Sequence, residues 1–172
     1  MSNDDDLGGI DIERAHPRAV ELIPDEFFWS CVDELGPFGS DEGDTALNEF
    51  REWRQEHPKE PLEACLVWTI ESVGEIDVAD YDDAIFDEAT VKAQVEDPDF
   101  DDQQLIYTVD TSVIATAFGQ LVDEGTIDAS AKPYVSRALK RQLVWANVQD
   151  SWGHAGEYSG NLARLQSVLE AV

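Results

Sequence analysis

Between Asp102 and Asp123, apolar side chains return at steps of three and four. Ile106, Val109, Val113, Ala117 and Leu121 form one stripe, which Ile114 and Phe118 widen. Such a period over that length specifies an amphipathic helix with a broad buried face, and Gly125 closes it. The same period governs most of the chain. Pro24-Asp25-Glu26 opens a helix predicted to carry Phe28, Val32 and Leu35 on one face as far as Gly36. A second starts at Ser40 or Asp41, presents Ala46, Leu47, Phe50 and Trp53, and ends at Pro58. Pro61 starts a third, ending at a Gly74 cap. Its Leu62, Cys65, Leu66, Thr69, Ile70 and Val73 leave little polar face, so it is expected to be central.

A fourth helix, from about Asp82 to Glu96, turns Ile85, Phe86, Ala89 and Ala93 inward. After the long fifth, Ser130 and Pro133 start a sixth (Val135, Ala138, Leu139, Leu143, Ala146), and Ser159 caps a seventh (Leu162, Leu165, Val168, Leu169). Glu75 to Asp80 alternates like a strand but has nothing to pair with, and reads as an extended linker. The connections are short, which favours antiparallel neighbours. The expected fold is therefore all-α: a single-domain bundle of six to seven helices over 18–172, preceded by an acidic segment 1–17 expected to be poorly ordered. No internal repeat of fixed period is present.

Charge sets the next constraint. The 172 residues carry 38 acids and 11 bases, a net charge of -27, but 42% are hydrophobic, too many for a disordered acidic tail. So negative a surface repels phosphate backbones and anionic membranes, so no direct contact with nucleic acid and no membrane partner is expected. Met1 to Asp6 has no apolar core of a signal peptide, and no apolar run approaches the roughly 20 residues that span a bilayer. A soluble cytoplasmic protein is expected. Cys31 and Cys65 both have apolar neighbours and read as buried, reduced thiols.

The charge is unevenly spread. Residues 1 to 130 hold 35 acids and 6 bases, whereas 131 to 172 hold 3 acids and 5 bases. The C-terminal quarter is thus expected either to pack against the acidic part or to form the face where an anionic group is tolerated. Around it, Arg137, Arg141, Trp152 and His154 are the candidate binding residues, because a partly exposed Trp beside Arg is a common interface composition. Trp53 and Trp68 lie on apolar stripes and read as core.

Other constellations fit catalysis or metal binding less well. Asp97, Asp99 and Asp101 reproduce the first ligand steps of a calcium loop. Asp102 stands where that loop needs Gly, however, and Thr108 where it needs a bidentate Glu. An interhelix turn whose acids cap the next helix explains the string better. Gly36 to Gly43 leads into a helix but has no Lys, and Asp41 and Glu42 occupy an anion's place; the loop reads as a tight turn with Phe38 in the core. Ser151, His154 and Glu157 share one loop, which does not assemble a hydrolase triad, and His154 with Glu157 lacks two further metal ligands. No cofactor is expected, and the chain reads as a non-enzyme more readily than as an enzyme.

At Gly36-Pro37-Phe38-Gly39-Ser40-Asp41 the chain resembles a bacterial family of unknown function with a Gly-Pro-Phe-x-x-Asp motif, a second acid shortly after, and then an amphipathic helix. Ala138-Leu139, Asp150-Ser151-Trp152 and the Leu162-Leu165-Leu169 helix are similar to that family's ending. The family motif follows a Trp-Gly pair near the N-terminus, whereas here some 35 residues precede it and the pair is absent. The resemblance implies a small helical domain and supplies no activity.

Three readings of the acidity follow. An acidic helical surface suits a non-catalytic interaction module that binds a basic protein partner. Alternatively, carboxylates such as Asp80, Asp82, Asp83, Asp87 and Glu88 imitate a phosphate array, making the chain a DNA mimic that occupies a nucleic-acid-binding protein. Or the excess is a salt adaptation, given 21 Asp against 17 Glu and only 4 Lys among 11 bases, with an unrelated function for which an enzyme site near the C-terminal quarter is one option. Edge aromatics also allow a homodimer.

Overall fold

The computed structural model describes residues 10–149 and 152–172. Among these are eight α-helices and no strand. In chain order they are α1 (Pro17–Leu22), α2 (Glu26–Trp29), α3 (Asp41–Glu56), α4 (Leu62–Gly74), α5 (Glu88–Glu96), α6 (Val109–Glu124), α7 (Lys132–Val148) and α8 (Ala155–Ala171). A π-helical segment, Gln103–Thr108, leads directly into α6. The fold is all-α, as the periodicity predicts.

The axis of the fold is α6, in which every residue from Val109 to Val122 is buried. Packed around it are α3, α4 and α7, and α8 closes against α7. The helix Gln103–Glu124 is long and apolar enough to cross a membrane by length and composition, yet 83% of its apolar window is buried inside the fold. Phe28, Phe38 and Phe118 form an edge-to-face chain with centroids 5.2 and 5.8 Å apart, which ties the Gly-Pro-Phe loop to α6. A smaller cluster of Val91, Ile106 and Trp145 lies under Trp152.

Local chemistry decides where the helices start and stop. Ser40 caps α3, its Oγ accepting from Gly43 N–H at 3.1 Å. A Cβ on Gly36 would stand 2.2 Å from the Phe27 carbonyl oxygen and one on Gly39 2.0 Å from that of Asp33, so this loop closes only with glycine at both positions. At the far end of α6, Gly125 takes φ 77° as the expected left-handed cap.

The helix expected over 24–35 is not continuous. It stops at Trp29 because Ser30 turns extended and its Oγ accepts from Val32 and Asp33 N–H at 3.2 and 2.9 Å, an alternative to helical bonding. Val32 is consequently 79% exposed. The expected 82–96 helix breaks likewise. Asp82 caps a 3-10 turn, Asp83–Phe86, and Asp87 caps α5, leaving Ala89 and Ala93 exposed and Val91 buried. In the expected linker, Asp77 caps a further 3-10 turn, Val78–Asp80. Helix α8 begins at Ala155 rather than at Ser159, which lies within it. In α4, Gly74 is the last helical residue and Glu75, at φ 54°, takes the left-handed position.

Two burial expectations are corrected. Cys65 is buried but Cys31 is exposed, because Cys31 falls in the Ser30 turn; both are free. Trp68 is 51% exposed on the outer side of α4, so α6, not α4, is the central helix. The boundary drawn at residue 17 falls inside the described region. There Ile10 and Ala15 pack on the core, and His16 N–H donates to Val122 O at 2.7 Å. Residues 1–9 lie outside the described residues.

The near-neutral end packs against the acidic body. Arg137 pairs with Asp83, Arg141 with Asp110 and Arg164 with Asp25, so three arginines of the C-terminal quarter are matched by acids from the first 130 residues.

Candidate functional site

Beneath the surface, α6 and α7 share a polar network inside an apolar core. The Asp110 carboxylate, fully buried, accepts from Arg141 Nε and Nη2 (both 2.8 Å), Tyr81 Oη (2.6 Å) and Gln142 Nε2 (3.0 Å). Tyr158 Oη donates to Gln142 Oε1 at 2.6 Å. The π-helical segment adds to it: the Leu105 and Ile106 carbonyls accept from Arg141 Nη2 and Gln142 Nε2, both at 3.2 Å. Every charge is therefore paired and bonded, which burial at this depth requires. Burial pulls the Arg141 pKa down, but the charge and hydrogen bonds of Asp110 outweigh it, so it lies above its ordinary value. Burial, then Asp110, pushes the Tyr81 phenol well above the usual range.

Tyr158 carries this network to the surface. It lines a cleft of about 630 Å³ formed by the α2–α3 loop, the first turn of α3, the π-helical segment, the end of α7 and the start of α8. One wall is a run of four rings: Tyr107 to Trp145 (5.4 Å between centroids), Trp145 to Trp152 (5.9 Å) and Trp152 to Tyr158 (5.3 Å). Trp145 is fixed from behind, its Nε1 donating to Asp102 Oδ2 at 2.8 Å. Trp152 and Tyr107 remain partly open to solvent.

The cleft is also acidic. Asp33, Glu34, Asp41, Glu42 and Glu157 line it, and no Lys or Arg is among the described lining residues. Asp41 and Glu42 sit in the first turn of α3, where they complement the helix dipole. Asp33 also holds the loop, its Oδ1 accepting from Leu35 N–H at 3.0 Å. Burial raises the Tyr107 pKa above its ordinary value, and Glu42 and Glu34 add to the rise. A cavity of this volume lies within the range of ligand sites. Aromatic faces beside uncompensated carboxylates favour a cation with an aliphatic or planar stem.

Of the four candidate binding residues, the cleft brings two together. Trp152 is part of its wall, and His154 lies exposed on its rim with Glu157. Arg141 is 5% exposed and committed to Asp110 behind the cleft. Arg137 lies elsewhere, bonded to Asp83 (3.0 Å) and the Tyr81 carbonyl (3.3 Å). Asp150 and Ser151, the remaining polar members of that loop, lie outside the described residues. In the acidic turn, Asp97 accepts from Asp99 N–H and Asp101 from Gln104 N–H, which is turn and cap chemistry. No group of three His, Cys, Asp or Glu residues placed to hold a metal occurs among the described residues.

Sequence reasoning missed Tyr107, Tyr158 and the buried network. The available signal was polarity on an apolar stripe: Asp110 falls in step with Ile106, Val113 and Ala117, and Gln142 with Val135, Ala138, Leu139 and Ala146.

The fold and the cleft thus define an all-α protein with an acidic, aromatic-walled cleft. Over 156 residues the chain is 28% identical to the uncharacterized protein YfeS of Escherichia coli (strain K12), a match covering 86% of this chain and 61% of that protein. The chain therefore spans about three fifths of the length of the curated relative it matches. No family model matches it, and no solved structure matches it.

Proposed function

We propose that the protein is a non-catalytic interaction module that receives a basic side chain of a partner protein in the Tyr107–Trp145–Trp152–Tyr158 cleft. The carrying observation is the juxtaposition of five carboxylates with four linked rings and no Lys or Arg among the described lining residues. A lysine or arginine stem lies along the rings while its charge meets the carboxylates, an arrangement worth about 0.5–2 kcal/mol per cation–π contact. The surrounding negative field speeds encounter with such a partner and makes association salt-sensitive. The 28% likeness to an uncharacterized protein and the Gly-Pro-Phe-x-x-Asp resemblance leave this reading to stand on the cleft alone.

For the DNA-mimic alternative, Asp82 caps a 3-10 turn, Asp87 caps α5 and Asp83 is paired with Arg137, so three of the five cited carboxylates have local partners while remaining exposed. The test is a calorimetric titration of the full chain with a short lysine peptide at low salt. Saturable binding that Trp152→Ala and Glu42→Gln each weaken supports the proposal, and binding indifferent to both substitutions rejects it.

A further inference from the structure

The acidic rim does not end at the cleft. A second hollow of about 310 Å³ lies across the first turns of α3, lined by Glu49, Val73, Gln104 and Thr108, and the two hollows share Asp41 and Glu42 as their common wall. No Lys or Arg is among its described lining residues either. We infer that the occupant is an extended segment of a partner chain carrying two basic side chains, one laid on the aromatic wall and one against Glu49, with its backbone crossing the Asp41–Glu42 ridge. This rests on the cleft reading and goes beyond it by fixing the ligand as linear and at least doubly charged.

The geometry favours that occupant over a compact one. A compact cation fills the aromatic cleft and leaves Glu49 unmatched, whereas a chain leaving the cleft past Asp41 and Glu42 enters the second hollow directly. The second hollow also offers what an extended backbone needs. The Gln104 side chain stands at its edge with Nε2 donating to Val73 O at 3.3 Å, leaving its amide oxygen as an acceptor, and the Thr108 hydroxyl, which donates to Gln103 O at 3.0 Å, keeps a lone pair to accept a second bond. Burial, and then the neighbouring Glu52, raises the Glu49 carboxyl above its ordinary value. Two linked contacts reinforce each other through effective concentration, so a ligand spanning both hollows gains more than either contact supplies.

The test uses two probes on the full chain at one low salt concentration: hexalysine, and Nα-acetyl-lysine amide with a single charge. Hexalysine is expected to bind at least about tenfold more tightly. Glu49→Gln should weaken hexalysine about threefold or more and leave the single-charge probe unchanged, while Glu42→Gln weakens both. Glu88→Gln, an exposed acid on α5 outside both hollows, should leave hexalysine within about twofold. Equal losses for Glu49→Gln and Glu88→Gln would mean diffuse attraction and overturn the inference, with single-charge binding in the cleft still standing. If Trp152→Ala and Glu42→Gln change neither probe, the cleft reading falls and takes this inference with it.

Discussion

Arg141 and Asp110 meet side by side in the core, Nε to Oδ2 and Nη2 to Oδ1 both at 2.8 Å, with 6% and 0% of their side chains exposed. Their bond joins α7 to the axial helix and fixes the relative rotation of the two. Through Gln142 it also sets the Tyr158 hydroxyl, and so one face of the cleft.

Removing one member leaves the other charge buried and unpaired. Arg141→Met should destabilise the protein by about 3–5 kcal/mol, measured as a shift of the urea midpoint. Adding Asp110→Leu to Arg141→Met should recover much of that loss, because neither charge is then stranded. A single variant within about 0.5 kcal/mol of wild type would contradict the pairing.

Glycine positions separate loop closure from helix propensity. Gly39→Ala puts a Cβ against the Asp33 carbonyl and should destabilise by about 1–3 kcal/mol or more. Gly160 lies within α8 with open space around its missing Cβ, so Gly160→Ala should stabilise by about 0.5–1 kcal/mol. Thermal melts of the two variants should move in opposite directions.

The two thiols should differ in reactivity. Burial pushes the Cys65 pKa up to about 11, so below that pH its thiolate is scarce as well as shielded, while Cys31 is exposed. A thiol reagent at neutral pH should titrate one cysteine in the native protein and two in denaturant. Two fast-reacting native thiols would show that Cys65 is not enclosed.

What the sequence made legible was local. Ser40, Pro61 and Gly125 mark helix boundaries through the residue types that satisfy end groups, and the stripe of α6 follows from its period. The failures at 24–35 and 82–96 share one cause, since Ser30, Asp82 and Asp87 bond nearby backbone N–H groups and override apolar spacing. The same chemistry bears on the Asp excess. Asp11, Asp33, Asp77, Asp82, Asp87, Asp97 and Asp101 each accept a backbone N–H two or three residues on, a role that the longer Glu fills less well. The Arg141–Asp110 pair spans 31 residues and the cleft draws on five segments, and such meetings depend on packing that no local pattern encodes.

Salt separates a binding role for the charge from solvent adaptation. The acids lining the cleft have no Lys or Arg beside them among its described lining residues, so lysine-peptide affinity should fall steeply from low to molar salt as the Debye length shrinks to about 3 Å. Fold stability should rise as screening relieves the repulsion among 38 acids set against 11 bases, while the binding is lost. Parallel melts and titrations over that range check both. A large gain in melting temperature with no salt-sensitive binding would favour solvent adaptation.

The most direct measurement follows the five tryptophan indole N–H resonances of the ¹⁵N-labelled full chain during titration with hexalysine. The cleft account predicts saturable shifts of Trp152 and Trp145, with Trp29, Trp53 and Trp68 staying in place. Uniform drift of all five, or movement confined to Trp68 on the far face of α4, would contradict it.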